Sequence, residues 1–106
     1  MHAVLRQKLQ IHSALDADDI VALNKLPYHD RALADGEDAI RQGDRPDAAI
    51  LVVEGMVGRY QTLADGRRQF ISYHITGDLP DAQALFLPEM DHAIRGMGPA
   101  RIALIP

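Results

Sequence analysis

The stretch Ile75–Ile94 reads I-T-G-D-L-P-D-A-Q-A-L-F-L-P-E-M-D-H-A-I, and it interrupts a strand-rich pattern. The strand pattern runs into Gly77–Asp78, a short helix is predicted over Leu79–Leu85, and a strand pattern resumes at His92. A helical turn inserted between strands places a helix N-terminus beside a sheet. Because the first backbone N–H groups of a helix have no partners within it, such a terminus is suited to bind an anion.

The composition describes one globular domain. The chain has 106 residues, a length that is enough for one core. Of these residues 47% are apolar and 25% charged, which is ordinary for a globular domain. There is no cysteine, which removes disulfides, thiolate metal sites and cysteine nucleophiles. The net charge is −4, whereas a nucleic-acid-binding domain normally carries a basic stripe. The chain as given is therefore expected not to bind DNA by itself.

The N-terminus and the apolar runs of the sequence indicate in which compartment of the cell the protein is expected. No apolar run approaches the ~18 residues of a membrane span. The opening M-H-A-V-L-R-Q-K-L has no apolar core of the kind that a signal peptide needs. We therefore expect a cytoplasmic protein that does not contact the membrane.

Two short helices are predicted at the start of the chain. Apolar residues recur at helical spacing from Ala3 to Leu15, and a second helix follows. Asp16 is suited to cap this second helix, and Pro27 ends it. Residues 1–27 are therefore interpreted as a helical piece and residues 28–106 as the rest of a single domain.

From Tyr28 onward, glycines next to acidic residues recur at intervals that favour tight corners between short antiparallel strands. The predicted strands are Arg31–Leu33, Ala39–Arg41, Ala49–Val53, Met56–Leu63, Arg68–His74 and Arg101–Ile105. The apolar run Ile50–Val53 is typical of a strand that is buried on both faces.

The clearest hairpin runs from Met56 to His74, with a turn at Asp65-Gly66. On its return strand, Ile71, Tyr73 and Ile75 alternate with polar residues, and we predict that these three face the interior. Arginines make the hairpin locally basic, which indicates either a solvated tip or a surface for an anionic partner. These arginines are Arg59, Arg67 and Arg68.

Several of these motifs, in order, resemble the cyclic-nucleotide-binding-type sensor domain of bacterial Crp/Fnr transcription regulators. They are L-x-x-G-E-x-x-I-x-x-G-D-x-P-D, I-L-V-V-E-G, R-Y-Q-x-L-x-D-G-R-R-Q and G-D-L. The resemblance implies a mainly β fold, an antiparallel, jelly-roll-like double-stranded β-roll with two short N-terminal helices and a short helix inserted between strands.

The resemblance also implies partners. Full-length members continue into a dimerisation helix and a winged helix-turn-helix, neither of which is present in this chain. They act as homodimers that respond to a small-molecule effector. Contacts with DNA and RNA polymerase are therefore expected only through a full-length protein, and no enzymatic activity is expected.

Carried over by the resemblance, the effector site would use the glycine, the acid and the short helix, while an arginine after the helix would pair with the cyclic phosphate. The arginine is missing: its position falls at Met90 or, with a gap, at Asp91 or His92. The candidate effector-binding residues are Gly77, Asp78, Leu79, Asp81, Ala82, Met90, Asp91 and His92.

Three interpretations of this site stay open. Asp78 and Asp81 are spaced like a capping box, so the helix could be self-capped and bind no ligand. The site could bind an effector other than a cyclic nucleotide. Binding of cyclic AMP or cyclic GMP is disfavoured, because an arginine–phosphate pair is bidentate and charge-assisted, and nearby acids repel a phosphate.

Two rival functions remain from other classes. His74 and His92 suggest a cupin-like metalloenzyme, but the histidines are not clustered as a zinc or iron site requires. No metal or other cofactor is therefore expected. The other rival is a ligand-free dimerisation or interaction module.

Overall fold

A computed structural model of the protein describes residues 1–12, 14–45, 47–80 and 90–106. Two helices precede the strands, and every strand pairing is antiparallel. The helices are α1 (His2–His12) and α2 (Ala17–Asn24). The strands are β1 (His29–Leu33), β2 (Asp38–Ile40), β3 (Ala49–Glu54), β4 (Met56–Thr62), β5 (Arg68–Ile75), β6 (Ala93–Gly96) and β7 (Ala100–Ile105).

Helix α2 begins as the sequence predicts. The backbone N–H of Asp19 donates to the Asp16 side chain at 2.8 Å, and the backbone N–H of Asp16 donates to the Asp19 side chain at 3.2 Å. This reciprocal pair is a capping box, which satisfies two donors that the helix itself leaves without partners. The predicted cap at Asp16 is therefore confirmed.

The strands form two sheets. One has three strands in the order β1-β7-β3, and the other has four strands in the order β2-β6-β4-β5. The β4–β5 hairpin pairs Val57 with His74 and Arg59 with Ser72, and an irregularity follows Arg59. Strand β5 lies at an edge of its sheet, with β4 as its neighbour.

The three-stranded sheet is covered on both faces. Its inner face packs against the four-stranded sheet around Leu33, Ile50, Val52, Val57, Ile94, Ala100 and Ile102. Its outer face holds Leu51 and Ala103, which pack against Leu5 of α1 and half-buried side chains of both helices. The prediction that Ile50–Val53 is buried on both faces is confirmed, since Leu51 and Val52 are each fully buried.

The predicted orientation of β5 is wrong. Ile71, Tyr73 and Ile75 are 45%, 55% and 61% exposed, so they lie on the outer face of the sheet. The register explains this, because His74 lies opposite Val57, a fully buried core residue. Residues directly opposite in an antiparallel pair share a face, so His74 points inward, as does Ser72 two residues before it.

The mainly β, antiparallel, two-sheet roll with two short N-terminal helices confirms the predicted fold class. The predicted inserted helix lies almost entirely outside the described residues and stays a prediction. Within the described ranges, neither helix has the length and apolar character that crossing a bilayer requires.

Candidate functional site

The turn after β5 connects the two sheets. The Gly77 backbone N–H donates to the Val52 carbonyl at 2.8 Å, and the Val52 N–H donates to the Asp78 carbonyl at 3.0 Å. Val52 belongs to β3 of the three-stranded sheet, whereas β5 belongs to the four-stranded sheet. The Gly77–Asp78 segment therefore fixes the end of β5 against the opposite wall of the roll.

The Asp78 carboxylate is occupied by its own chain. It accepts the Ile75 backbone N–H at 3.0 Å and lies 3.6 Å from the Lys8 ammonium of α1. It also lies 3.8 Å from Nδ1 of His74. A small open cavity of about 280 Å³ adjoins this cluster and is lined by Val4, Gln7, Lys8, Thr76, Gly77 and Asp78. In this arrangement Asp78 holds the turn and connects it to α1.

Met90 is one of the three positions to which the resemblance assigns the arginine, and it is buried. Its side chain is 2% exposed. Its N–H donates to the Asp44 carbonyl and its carbonyl accepts the Gly43 N–H, both at 2.7 Å. Met90 is therefore fixed on the loop between β2 and β3.

Asp91 and His92 form a contact pair beside Met90. The Asp91 carboxylate contacts Nδ1 of His92, and the Asp91 side chain is exposed while His92 is buried. The Asp91 carbonyl accepts the Gln61 side-chain amide at 3.4 Å. A polar cavity of about 750 Å³ lies here, lined by Gln42, Gly43, Gln61, Thr62, Met90 and Asp91.

The described candidate residues therefore fall into two places. Asp78 lies beside the start of β4, since Ile75 pairs with Met56, and Asp91 lies beside its end at Gln61. At about 3.3 Å per residue these positions are roughly 17 Å apart. Leu79 is half-buried among residues that pack on the helices. Asp81 and Ala82 lie outside the described residues.

Between these two places lies a polar strip that the sequence analysis did not assign to the site. Arg59 of β4 pairs with Ser72 of β5 on one side and with Ile94 of β6 on the other. Ile94 is fully buried in the core between the sheets, so this face of the sheet is the inner one. The Ser72 hydroxyl and the His74 Nε2 lie 2.9 Å apart on the same face.

The structure separates the arginines that the sequence analysis grouped. Arg67 is at the exposed tip, where it pairs with Asp65 at 2.6 Å. Arg68 lies over the Tyr60 ring at 5.5 Å. Arg59 is half-buried, its Nε is buried, and its register places it inside the roll. The signal that could have found it is the period of two along β4, with apolar Val57 as the inward reference.

The histidines do not form a metal cluster with neighbouring acids in the part of the chain that the structure describes. No group of three or more histidine or acidic side chains suitable for a metal ion occurs there. His74 contacts Ser72 and Asp78, and His92 contacts Asp91.

The fold is a β-roll in which a three-stranded and a four-stranded antiparallel sheet pack face to face. The cyclic nucleotide-binding domain family matches residues 30–106. The chain therefore belongs to the cyclic nucleotide-binding domain family.

Known regulators resemble the chain. The nitrogen fixation regulation protein FixK of Rhizobium meliloti is 41% identical over 44 residues, which cover 42% of this chain and 21% of FixK. The N-terminal domain of a transcriptional regulator from Streptomyces coelicolor superposes with a TM-score of 0.78 at 25% identity, covering 96% of this chain and 72% of that one.

The sensor domain of the transcriptional regulator DNR from Pseudomonas aeruginosa superposes with a TM-score of 0.79 at 20% identity, covering 98% and 72% of the two chains. Together these comparisons confirm the resemblance to a Crp/Fnr-type sensor domain. The chain spans about a fifth of the curated relative that it matches.

Proposed function

We propose that this domain senses a small-molecule effector for a transcription regulator of the Crp/Fnr type, and that the effector is not cyclic AMP or cyclic GMP. In a full-length homodimer, effector binding would shift a two-state equilibrium that the DNA-binding parts read out. The family and the similar regulators support the first part of this proposal.

The observation that carries the second part is Met90. Its side chain carries no charge, and the residue is buried and fixed by two backbone hydrogen bonds, so this position offers no cation to a cyclic phosphate. Asp78, the candidate acceptor for a ribose hydroxyl, is already bonded to Ile75 and paired with Lys8. Without the arginine, a phosphate loses the strongest class of hydrogen bonds available to it.

Calorimetric titration of the chain with cyclic AMP and with cyclic GMP tests this proposal. We expect no heat beyond dilution at ligand concentrations up to about 1 mM, which corresponds to a binding free energy weaker than about −4 kcal/mol. A related domain that binds cyclic AMP, titrated in the same buffer, serves as the positive control. Micromolar binding by this chain would overturn the proposal.

The assignment to a transcription regulator has its own test. The gene sequence after the codon for Pro106 should encode a helix followed by a helix-turn-helix. If a different kind of domain is encoded there, this sensor domain regulates another kind of protein. The assignment to a transcription regulator would then be wrong.

A further inference from the structure

We infer that the edge of β5 pairs in antiparallel fashion with β5 of a second copy of this chain. Two four-stranded sheets would then join into one sheet, with Tyr73 at the centre of the contact. This interface goes beyond the proposed function, because it needs no effector. It is also separate from the dimerisation helix that the resemblance implies for full-length members.

Strand β5 offers an edge on which another strand can pair. It is the last strand in the order β2-β6-β4-β5, and among the residues that the structure describes β4 is its one neighbouring strand. An exposed edge presents backbone N–H and C=O groups to a further strand, and proteins usually protect it with lysine, proline or inward charges. The segment Gln69–Ile75 contains no lysine, proline or carboxylate. This edge therefore lacks the usual side chains that discourage pairing.

The outer face beside this edge is apolar. Ile71, Tyr73 and Ile75 are each about half exposed, and they follow one another along a single strand. The Tyr73 ring is stacked on Phe70, which holds it in place. Contiguous exposed apolar side chains mark contact surfaces, and β-branched and aromatic residues are the types that pair well across strands.

The residue order of β5 is complementary to itself, which favours a second copy as the occupant. Residues directly opposite in an antiparallel pair share a face. If Tyr73 lies opposite Tyr73 of the second copy, Ile71 lies opposite Ile75 and Ser72 opposite His74. Apolar side chains then meet on the outer face and polar ones on the inner face. A twofold axis at Tyr73 makes the two halves of the contact identical, as in closed dimers.

The charges at the two ends of β5 fit the same antiparallel arrangement. Arg68 begins the strand, and Asp78 follows its end. Antiparallel pairing brings the Arg68 end of each copy toward the Asp78 end of the other, whereas parallel pairing would bring like charges together. The attraction is modest, because Asp78 also pairs with Lys8 and Arg68 lies over the Tyr60 ring.

The contact is small, so the dimer is expected to be weak. A tyrosine that becomes fully buried covers about 150–250 Å², so the exposed halves of three such side chains supply roughly 300 Å² per copy. Stable interfaces bury about 800 Å² per partner. We therefore expect a dissociation constant between about 10 μM and about 1 mM.

Sedimentation velocity of the chain from about 10 μM to about 1 mM tests the inference. We expect the sedimentation coefficient to rise with concentration toward that of a dimer. Isotope-filtered NMR on a mixture of labelled and unlabelled chains then tests the register. It should show contacts between the copies from Ile71 to Ile75 and from Tyr73 to Tyr73.

Tyr73→Lys should raise the dissociation constant at least tenfold, because it places two ammonium groups opposite each other at the twofold axis. Val21→Lys is the matched control, since Val21 is also about half exposed but lies on α2, and it should dimerise like the wild type. If Tyr73→Lys does not fold, as judged by circular dichroism, Ile75→Thr replaces it. This variant should weaken the dimer at least about threefold, because the Ile71–Ile75 pair occurs twice.

Three results would overturn the inference. The first is a chain that remains monomeric at about 1 mM. The second is a dimer that neither Tyr73→Lys nor Ile75→Thr weakens. The third is contact between the copies from Ile71 to Ile71 without contact to Ile75, which would indicate parallel pairing.

Discussion

At the scale of single residues, Tyr60 makes several kinds of contact on the outer face of the four-stranded sheet. It is 4% exposed, and its hydroxyl donates to the Asp38 carboxylate at 2.7 Å. Arg68 and Arg95 each lie 5.5 Å from the centre of its ring. The phenol therefore links β4 to β2, although β6 lies between them in the sheet.

Replacing Tyr60 by phenylalanine should lower the free energy of unfolding by about 1–2 kcal/mol, because a buried hydrogen bond to a charged acceptor is lost while the ring packing stays. Urea denaturation measures this. Tyr73→Phe is the matched control: its side chain is 55% exposed, and we expect a change below about 0.5 kcal/mol. Equal losses in the two variants would contradict the role assigned to the Asp38 bond.

The same residue predicts a loss of stability in alkaline solution. Burial raises the pKa of Tyr60 above its ordinary value of 10.0, and the hydrogen bond to Asp38 and the charge of Asp38 raise it further. The folded state thus holds the proton more tightly than the unfolded state. The resulting stabilisation is complete below pH 10 and is lost as the pH rises through the raised pKa.

We therefore expect the unfolding free energy of the wild type to fall more steeply above pH 10 than that of Tyr60→Phe. Urea titrations between pH 8 and pH 11 compare the two proteins. Parallel plots of unfolding free energy against pH for the two proteins would show that Tyr60 does not contribute to the loss of stability in alkaline solution.

Gly55, in the corner between β3 and β4, can be compared with Gly66 to distinguish the cost of a left-handed backbone from the cost of a steric clash. It has φ of +79°, and a Cβ atom there would lie 2.6 Å from the Pro99 carbonyl oxygen. Gly66 has φ of +88° with nothing within 4 Å of a Cβ. Gly66→Ala should cost about 1–2 kcal/mol from the left-handed backbone alone. Gly55→Ala should cost at least about 2 kcal/mol more, because the clash is with backbone.

Thermal and urea unfolding of the two alanine variants measure the difference. Similar losses of unfolding free energy in Gly55→Ala and Gly66→Ala would mean that the chain relaxes around Pro99. The close approach of Gly55 to Pro99 would then not contribute to the cost.

At the scale of elements, β5 presents an apolar set to the outside and a polar set to the inside. Phe70 and Tyr73 stack with ring centres 5.7 Å apart on the outer face. A Cβ at Gly58 would lie 2.9 Å from the Phe70 ring, so the glycine leaves room for that aromatic pair. The outer face of β5 thus carries a stacked aromatic pair, while Ile71, Tyr73 and Ile75 remain about half exposed.

This inversion predicts opposite sensitivities for two residues of one hairpin. Ile75→Thr should change the unfolding free energy by less than about 0.5 kcal/mol, because Ile75 is 61% exposed and threonine also favours a strand. Val57→Ala should cost about 1.5–3 kcal/mol, since Val57 is fully buried. A larger loss of unfolding free energy for Ile75→Thr than for Val57→Ala would instead support the orientation of β5 that the sequence pattern favours.

Local signals in the sequence predicted most of the elements. The cap at Asp16, the Asp65-Gly66 turn and the buried run Ile50–Val53 each have a short-range physical cause, and each is found in the structure. The face of β5 could not be predicted in that way. A period of two marks two faces without saying which is inside, and only the pairing of Val57 with His74 decides it.

At the scale of the whole molecule, the site depends on how distant elements meet. The sequence indicated the Gly77–Asp78 turn and the absence of an arginine at positions 90–92, because both can be seen in contiguous motifs. It did not indicate that Asp78 pairs with Lys8 of α1 or that Arg59 faces inward beside Ser72. These relations arise from sheet register and helix docking, which no local pattern encodes.

The two cores share strands β3 and β7. Leu51 and Ala103 face the helices, whereas their neighbours Val52 and Ile102 face the interior of the roll. Removing the helices would expose one side of strands whose other side forms the main core. We therefore expect the helices and the roll to unfold as one cooperative unit, as small single domains usually do.

Leu5→Ala tests this coupling. Leu5 is 5% exposed against Leu51 and Ala103, so its truncation should cost about 2–5 kcal/mol. In a urea titration followed by NMR, native amide peaks of α1 and of β4 should disappear at one shared, lowered midpoint. Val21→Ala, at a 50% exposed position of α2, should leave that midpoint nearly unchanged. Loss of the α1 peaks at lower urea than the β4 peaks would instead show that the helices are a separate, dispensable layer.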